Sequence, residues 1–289
     1  MPETGSLSAL SALEMRRYVR HPAFLVGAAL WTVTIATSIN HRSEDIYGAG
    51  VIPAFFLGVF GMIVGFRVTR TMERSAEAVV TVPVPITARV GALLSAAAIP
   101  AVLGLVSCVL ILVVAHPKAD FAYGTWSSAD RFAILLGQSL VAGAGGPLLG
   151  VAAARWLRFP GAIVVAPLAV VTWVIVGNGW TANNQDSTGW LAARLFSPFA
   201  FFTTLDTDKG LHRVESWRGN PWFYLLWLVL LCALAAVVAL LKDAEGATRA
   251  ALTKVLLVVV VAALASFALA VVTGPSHATV RSPQGVTRI

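Results

Sequence analysis

The chain has 289 residues, of which 57% are apolar and only 12% charged, and its mean hydropathy is +0.79. Soluble domains carry about a quarter charged residues, so these proportions exclude a water-soluble globular protein. The net charge of +7 does not indicate nucleic-acid binding, because the basic residues are scattered over short loops between apolar runs and form no stripe with interleaved aromatics.

Seven uncharged runs are long enough to cross roughly 30 Å of hydrocarbon as helices. They are Ala23 to Ile39, Ile46 to Phe66, Val90 to Ala115, Phe132 to Ala154, Phe159 to Gly177, Pro221 to Leu241 and Val255 to Val272. They predict an all-α polytopic membrane protein with six to seven transmembrane helices. Residues 1–22 then form a tail and an interfacial helix, 23–241 a six-span core, and 242–289 a loop, a seventh span over 255–272 and a tail. The seventh run is a Val/Ala/Leu stretch that crosses the membrane, packs peripherally or is re-entrant.

At the N-terminus, Ser6 to Arg20 reads as a short amphipathic helix lying in the interface, with Leu7, Leu10, Leu13 and Tyr18 near helical spacing and Glu14, Arg16, Arg17 and Arg20 on other faces. Pro22 disfavours helical geometry at His21, so the chain bends there and turns into span one. The segment is not read as a signal peptide, because the apolar stretch is long and Ala36-Thr37-Ser38 makes a poor cleavage site.

Span two carries Gly61 and Gly65 in a small-xxx-small arrangement that admits a close helix neighbour. The connection 67–89 follows, and Thr71 through Val80 predicts a short helix parallel to the membrane, with Glu73, Arg74 and Glu77 exposed, before Pro83 and Pro85 force an extended exit. Span four holds Gly143-Ala-Gly-Gly-Pro147 and Gly150, a pattern compatible with tight helix crossing, a kink or an unwound binding site. The loop 178–220 is the long one; it contains Trp180, Trp190 and Trp217 and an apolar stretch broken at Ser197-Pro198, expected as one or two short interfacial helices.

With the N-terminus inside, 12 basic residues face the cytoplasm on short loops, among them Arg67, Arg70, Arg155, Arg158 and Lys242, and 9 face outward over considerably more loop. That density favours a cytoplasmic N-terminus. No Lys follows a Gly, so a P-loop is missing and the chain cannot itself hydrolyse ATP by that route. The predicted spans contain no Asp, Glu, Lys, Arg or His, which argues against proton-coupled carriers and against intramembrane aspartyl or zinc proteases. Cys108 and Cys232 fall inside spans as packing residues, and the five histidines lie at or beyond span ends with no metal-ligand spacing.

The sequences SALEMRRYVRHPAFLVGAAL and ERSAEAVVTVPVPITARVGALL, together with the spacing of the first six spans and the Ser197-Pro198-Phe199 triplet before span six, resemble the membrane-spanning subunits of type 2 ABC exporters (ABC-2 permeases). The resemblance covers roughly residues 6–241. It implies an elbow helix carrying Glu14, Arg16, Arg17 and Arg20, which flanks a docking surface or meets anionic lipid headgroups. It also implies an ATPase-coupling segment from Thr71 to Pro83 that includes Glu73, Arg74, Glu77, Val80 and Pro83. On this resemblance the chain binds separate cytoplasmic P-loop ATPase subunits, which hold the ATP and Mg, and pairs with a second permease, and substrate passes along the inner faces of spans two and five. The expected location is a bacterial plasma membrane and the expected cargo an amphipathic or lipidic compound. The seventh run departs from the family's usual six spans. A non-transporting membrane scaffold or sensor is the alternative, and an enzyme using Asp186, Asp206, Asp208 or His212 of the outer loop is a third reading.

Overall fold

The structure, a computed structural model, describes the backbone of residues 3–40, 48–78, 85–115, 126–179, 188–206, 213–274 and 278–281, and the side chains of 8–38, 49–74, 85–114, 126–179, 188–203 and 216–274. The protein is an all-α polytopic membrane protein. Six helical stretches are long and apolar enough to cross a membrane, and a bent N-terminal pair brings the number to seven.

That pair is α1 (Glu3–Val19) and α2 (Pro22–Asn40), which meet at 65°. Pro22 starts α2 where its missing N–H costs nothing, and His21 Nδ1 accepts a hydrogen bond from Ala23 N at 3.2 Å, taking up a donor at the new helix start. Tyr18 and Phe24 pack across the bend with ring centroids 5.1 Å apart. The elbow read from Arg20-His21-Pro22 is therefore present.

The second span begins as a π-helical segment, Pro53–Val59, and continues as α3 (Phe60–Ala78). Here the expectation of a separate transverse helix over Thr71–Val80 is corrected. Neither Gly nor Pro stands between Gly65 and Pro83, and α3 runs unbroken out of the apolar region to Ala78. The third span is α4 (Ile86–Ser95) and α5 (Ala98–Ala115), and the fourth is α6 (Ser128–Leu135), a second π segment (Leu136–Val141) and α7 (Ala142–Trp156). Ser127 caps α6 by accepting from Asp130 N. The fifth span is α8 (Ala162–Gly179).

Spans two and four form the centre, each half buried, whereas α8 is mostly open to its surroundings. The glycine cluster of span four is a helix crossing and not an unwound site. A Cβ added at Gly146 would run into the carbonyl of Gly58, and one at Gly150 into that of Met62. A Cβ at Gly65 would come within 2.6 Å of the Pro147 carbonyl oxygen. In lipid no hydrophobic force drives helices together, so this backbone-to-backbone approach, with its gain in dispersion contacts, is what holds the pair.

Beyond the fifth span come α9 (Thr188–Phe196) and two strands, β1 (Thr203–Asp206) and β2 (Arg213–Ser216). The sixth span, α10 (Pro221–Leu241), is capped by Asn220 Oδ1, which accepts from Trp222 N and Phe223 N, and has Pro221 in its first turn. After a turn at 242–245, α11 (Gly246–Val272) returns along α10. Gly246 takes φ +51°, the left-handed geometry this reversal needs.

The seventh run is thus the returning arm of a helical hairpin and is long and apolar enough to cross a membrane. Asn220 N donates to Ala270 O at 2.8 Å, and β3 (Ala278–Arg281) pairs antiparallel with β2 in the register Arg213↔Arg281 to Ser216↔Ala278. With β1 on the other side of β2, the three strands form a small sheet in the order β1-β2-β3. Sequence periodicity predicted no strands there. The β2–β3 pair can form because α10 and α11 run antiparallel, which returns the chain to the end it left.

Candidate functional site: an ionic cluster at the basic end

The end of the bundle that bears Arg67–Arg74, Arg155 and Lys242 gathers charges from three elements. On the α3 extension, Arg70 pairs with Glu73 at 3.4 Å and also donates to the Leu157 carbonyl between α7 and α8. Lys242, just past α10, reaches Glu73 Oε1 at 3.2 Å and also donates to the Arg155 carbonyl at the end of α7. Arg155 is only 1% exposed and pairs with Asp243. Its Nε and Nη1 meet no partner among the described residues. Trp156 Nε1 donates to Val238 O at 3.0 Å, tying α7 to α10 beside the cluster.

This corrects the exposed role expected for Glu73: its carboxylate is shared between Arg70 and Lys242. Arg74, the next residue, is exposed. Glu77 lies one turn further along α3, on the face of Glu73 by its i, i+4 spacing, with its side chain outside the described residues. Val80 and Pro83 lie outside them as well.

The elbow reading also needs a correction. Glu14 is not on the solvent face of α1 but 5% exposed, one turn from the buried Tyr18, whereas Leu13 is exposed. Residues four apart on a helix stack on one face, and that face seats against α4 and α3. Glu14 Oε1 keeps an ion pair with Arg17 at 2.8 Å, and Arg16, Arg17 and Arg20 are exposed. Tyr18 fits because of a glycine: a Cβ at Gly61 would lie 2.7 Å from its hydroxyl oxygen.

His21, at the bend, titrates below its ordinary range because it is partly desolvated and because Arg67 is nearby. Its folded-state pKa lies below the unfolded value near 6.5, so in that window the unfolded chain binds more protons, and stability falls as pH drops through it. Protonation also removes the Nδ1 lone pair that accepts from Ala23 N. The thermal midpoint of the purified protein is therefore expected to fall between pH 7.5 and pH 5, and His21→Asn, which keeps an acceptor without titrating, is expected to flatten that dependence.

The opposite end carries a feature that sequence reasoning passed over. Residues 197–202 have no regular structure, yet Ser197, Phe199, Ala200 and Phe202 are buried. Five of their carbonyls are bonded from different parts of the chain. Tyr224 Oη donates to Ser197 O (2.8 Å), Asn178 Nδ2 to Phe199 O (2.7 Å) and Gln138 Nε2 to Ala200 O (3.0 Å). Arg194 donates to Phe201 O (2.8 Å), and Trp126 Nε1 to Phe202 O (3.1 Å). Irregular backbone at such depth persists only when its polar groups are satisfied.

Arg194, 2% exposed, also donates to the Arg218 carbonyl and lies over the rings of Trp217 and Phe202 at 5.1 and 5.6 Å. Burial pushes its guanidinium down to about 9, which leaves it charged at neutral pH. A lone arginine within the apolar stretch 191–205 was the available signal. Among the described residues no group of His, Cys, Asp and Glu could hold a metal.

In comparisons with known proteins the chain matches no family model, no curated protein and no solved structure.

Proposed function

We propose that this chain is the membrane-spanning subunit of a type 2 ABC exporter in a bacterial plasma membrane. Its N-terminus is cytoplasmic, and it moves an amphipathic or lipidic compound with ATP hydrolysed on separate, Mg-dependent ATPase subunits. The observation that carries the reading is the elbow. A helix bent 65° from span one sits against α4, beside a helical extension of span two that leaves the apolar layer at the basic end. Those elements bear the two stretches on which the sequence resemblance rests.

On this reading the basic end faces the cytoplasm, as the density of Arg and Lys on its short loops favours. The coupling surface is the distal part of α3. Glu73 is engaged within the subunit, so Arg74 and the face of Glu77 are the contacts left for an ATPase. The elbow arginines, Arg16, Arg17 and Arg20, meet the same partner or anionic headgroups. A second permease completes the path, and α8, largely open in the single subunit, is free to line it. The face of span two bearing Gly58, Gly61 and Gly65 is occupied by α7 and Tyr18, so only its other faces remain for substrate.

The test is a gentle-detergent purification of the tagged protein from its native membrane, with the co-purifying chains identified and counted. A P-loop ATPase at about one copy per permease is the expected result, and a second permease chain in the same peak would establish pairing. Recovery without any ATPase, under conditions that keep other membrane complexes whole, would reject the exporter and leave a scaffold or sensor in its place.

A further inference from the structure

The hairpin of α10 and α11 is fastened at both ends. At the outer end Asn220 bonds Ala270 O and, at 3.2 Å, Thr273 Oγ1, and β3 zips onto β2. At the inner end its turn presents Lys242 and Asp243 to two other helices, reaching Glu73 on the α3 extension and Arg155 on α7.

We propose that Lys242 and Asp243 are positioning residues, through which the hairpin of spans six and seven sets where the α3 extension stands. The proposal rests on the exporter reading, in which that extension carries the ATPase contact. The two ion pairs are not equivalent. Arg155 is enclosed, so separation from Asp243 would leave a buried charge without compensation, which is costly. The Lys242–Glu73 pair is partly exposed, with side chains at 15% and 22%, so water can reach either partner and its separation costs less than that of the enclosed Arg155. Asp243 and Arg155 therefore fasten the hairpin turn to α7, and Lys242 is the release point.

Lys242 also binds the Arg155 carbonyl, so it can let go of Glu73 without leaving the cluster. Glu73 in turn keeps Arg70, which is tied to the α7–α8 turn through the Leu157 carbonyl. Displacement of the part of the extension beyond Arg70 thus breaks one partly exposed ion pair while the rest of the cluster holds. Without the seventh span the turn would be a free end, and its two charges would have no fixed position.

The experiment uses the complex purified with its ATPase and placed in nanodiscs. It reads ATPase retention and the ratio of ATP hydrolysis in the complex to that of the ATPase alone. Lys242→Glu and Glu73→Lys are each expected to retain the ATPase but to change that ratio about fivefold or more, the scale of ordinary coupling free energies. The double exchange, which restores opposite charges across this pair while losing the Arg70–Glu73 one, is expected to bring the ratio part of the way back. A merely structural pair would alter melting and leave the ratio alone; that outcome, or a double exchange no better than the singles, overturns the proposal.

Should the charge variants fail to fold, Lys242→Met and Glu73→Gln, which each remove one charge at nearly constant volume, serve instead. Each should retain the ATPase and shift the ratio in the same direction, and an unchanged ratio in both overturns the proposal equally. If the parent protein brings down no ATPase, the exporter reading itself has failed and the positioning role falls with it; an ATPase that binds but ignores every variant rejects the positioning role alone.

Discussion

Replacing Gly146 by alanine is expected to lower the stability of the folded protein by roughly 3 kcal/mol, near the upper end for overpacked positions. The added Cβ would meet the carbonyl carbon, the oxygen and the Cα of Gly58. All three are backbone atoms that no rotamer change can clear, so spans two and four must move apart along their whole crossing, and Gly150 against Met62 and Gly65 against Pro147 lose contact with it. For a chain of this size the loss corresponds to a fall in melting temperature of roughly 6–12 °C, measurable by thermal unfolding in detergent. Gly91→Ala is the control. Gly91 has no atom within 4 Å of a built Cβ and lies inside α4, so alanine there is expected to be neutral or to add up to about 1 kcal/mol through helix propensity. Equal melting of the two variants would mean that the crossing of spans two and four is not as close as described.

Arg194→Met is expected to cost about 2–4 kcal/mol, because two carbonyls, those of Phe201 and Arg218, lose their donor in a largely enclosed site and the stacking on Trp217 and Phe202 is lost. Methionine keeps much of the volume, so the loss isolates the guanidinium from the cavity that alanine would leave. Arg194→Lys should recover less than half of it, since a single ammonium has no planar fork to reach both carbonyls or to lie flat on a ring. The readout is limited proteolysis together with unfolding: cleavage near 197–202 should rise in the methionine variant before the spans unfold. Unchanged cleavage would show that Tyr224, Asn178, Gln138 and Trp126 hold the segment without Arg194.

Much of the fold was legible in the sequence. Span six is the same in both, Pro221 to Leu241, because Asn220-Pro221 starts it and Lys242 ends it, which are local signals. The elbow was legible for the same reason, at His21-Pro22. The sequence placed span two earlier than the structure does, and took its charged continuation for a separate helix. Charge marks where the bilayer ends but does not by itself end a helix, and no Gly or Pro stands between Gly65 and Pro83. Glu14 was misplaced because the polarity of a residue indicates the average cost of burying it, not which face a neighbouring helix covers.

The site was less legible. Glu73 was singled out from its position after span two, yet its partner Lys242 is 169 residues away, and Asp243 is 88 from Arg155. No local window contains either pair. The same holds for the segment 197–202, whose donors come from residues 126, 138, 178, 194 and 224.

Hydropathy is a sum along a run, and lipid imposes it on every run separately, so the sequence by itself determined that the chain is helical, crosses the membrane repeatedly and bends where proline follows its basic elbow. Ion pairs, strand pairing and glycine crossings depend on which runs become neighbours. Only the tertiary structure decided that span four covers span two and that the seventh span returns to pair β3 with β2. It alone set the charges flanking the basic end against one another, because those terms act through distances of a few ångströms between residues far apart in the chain.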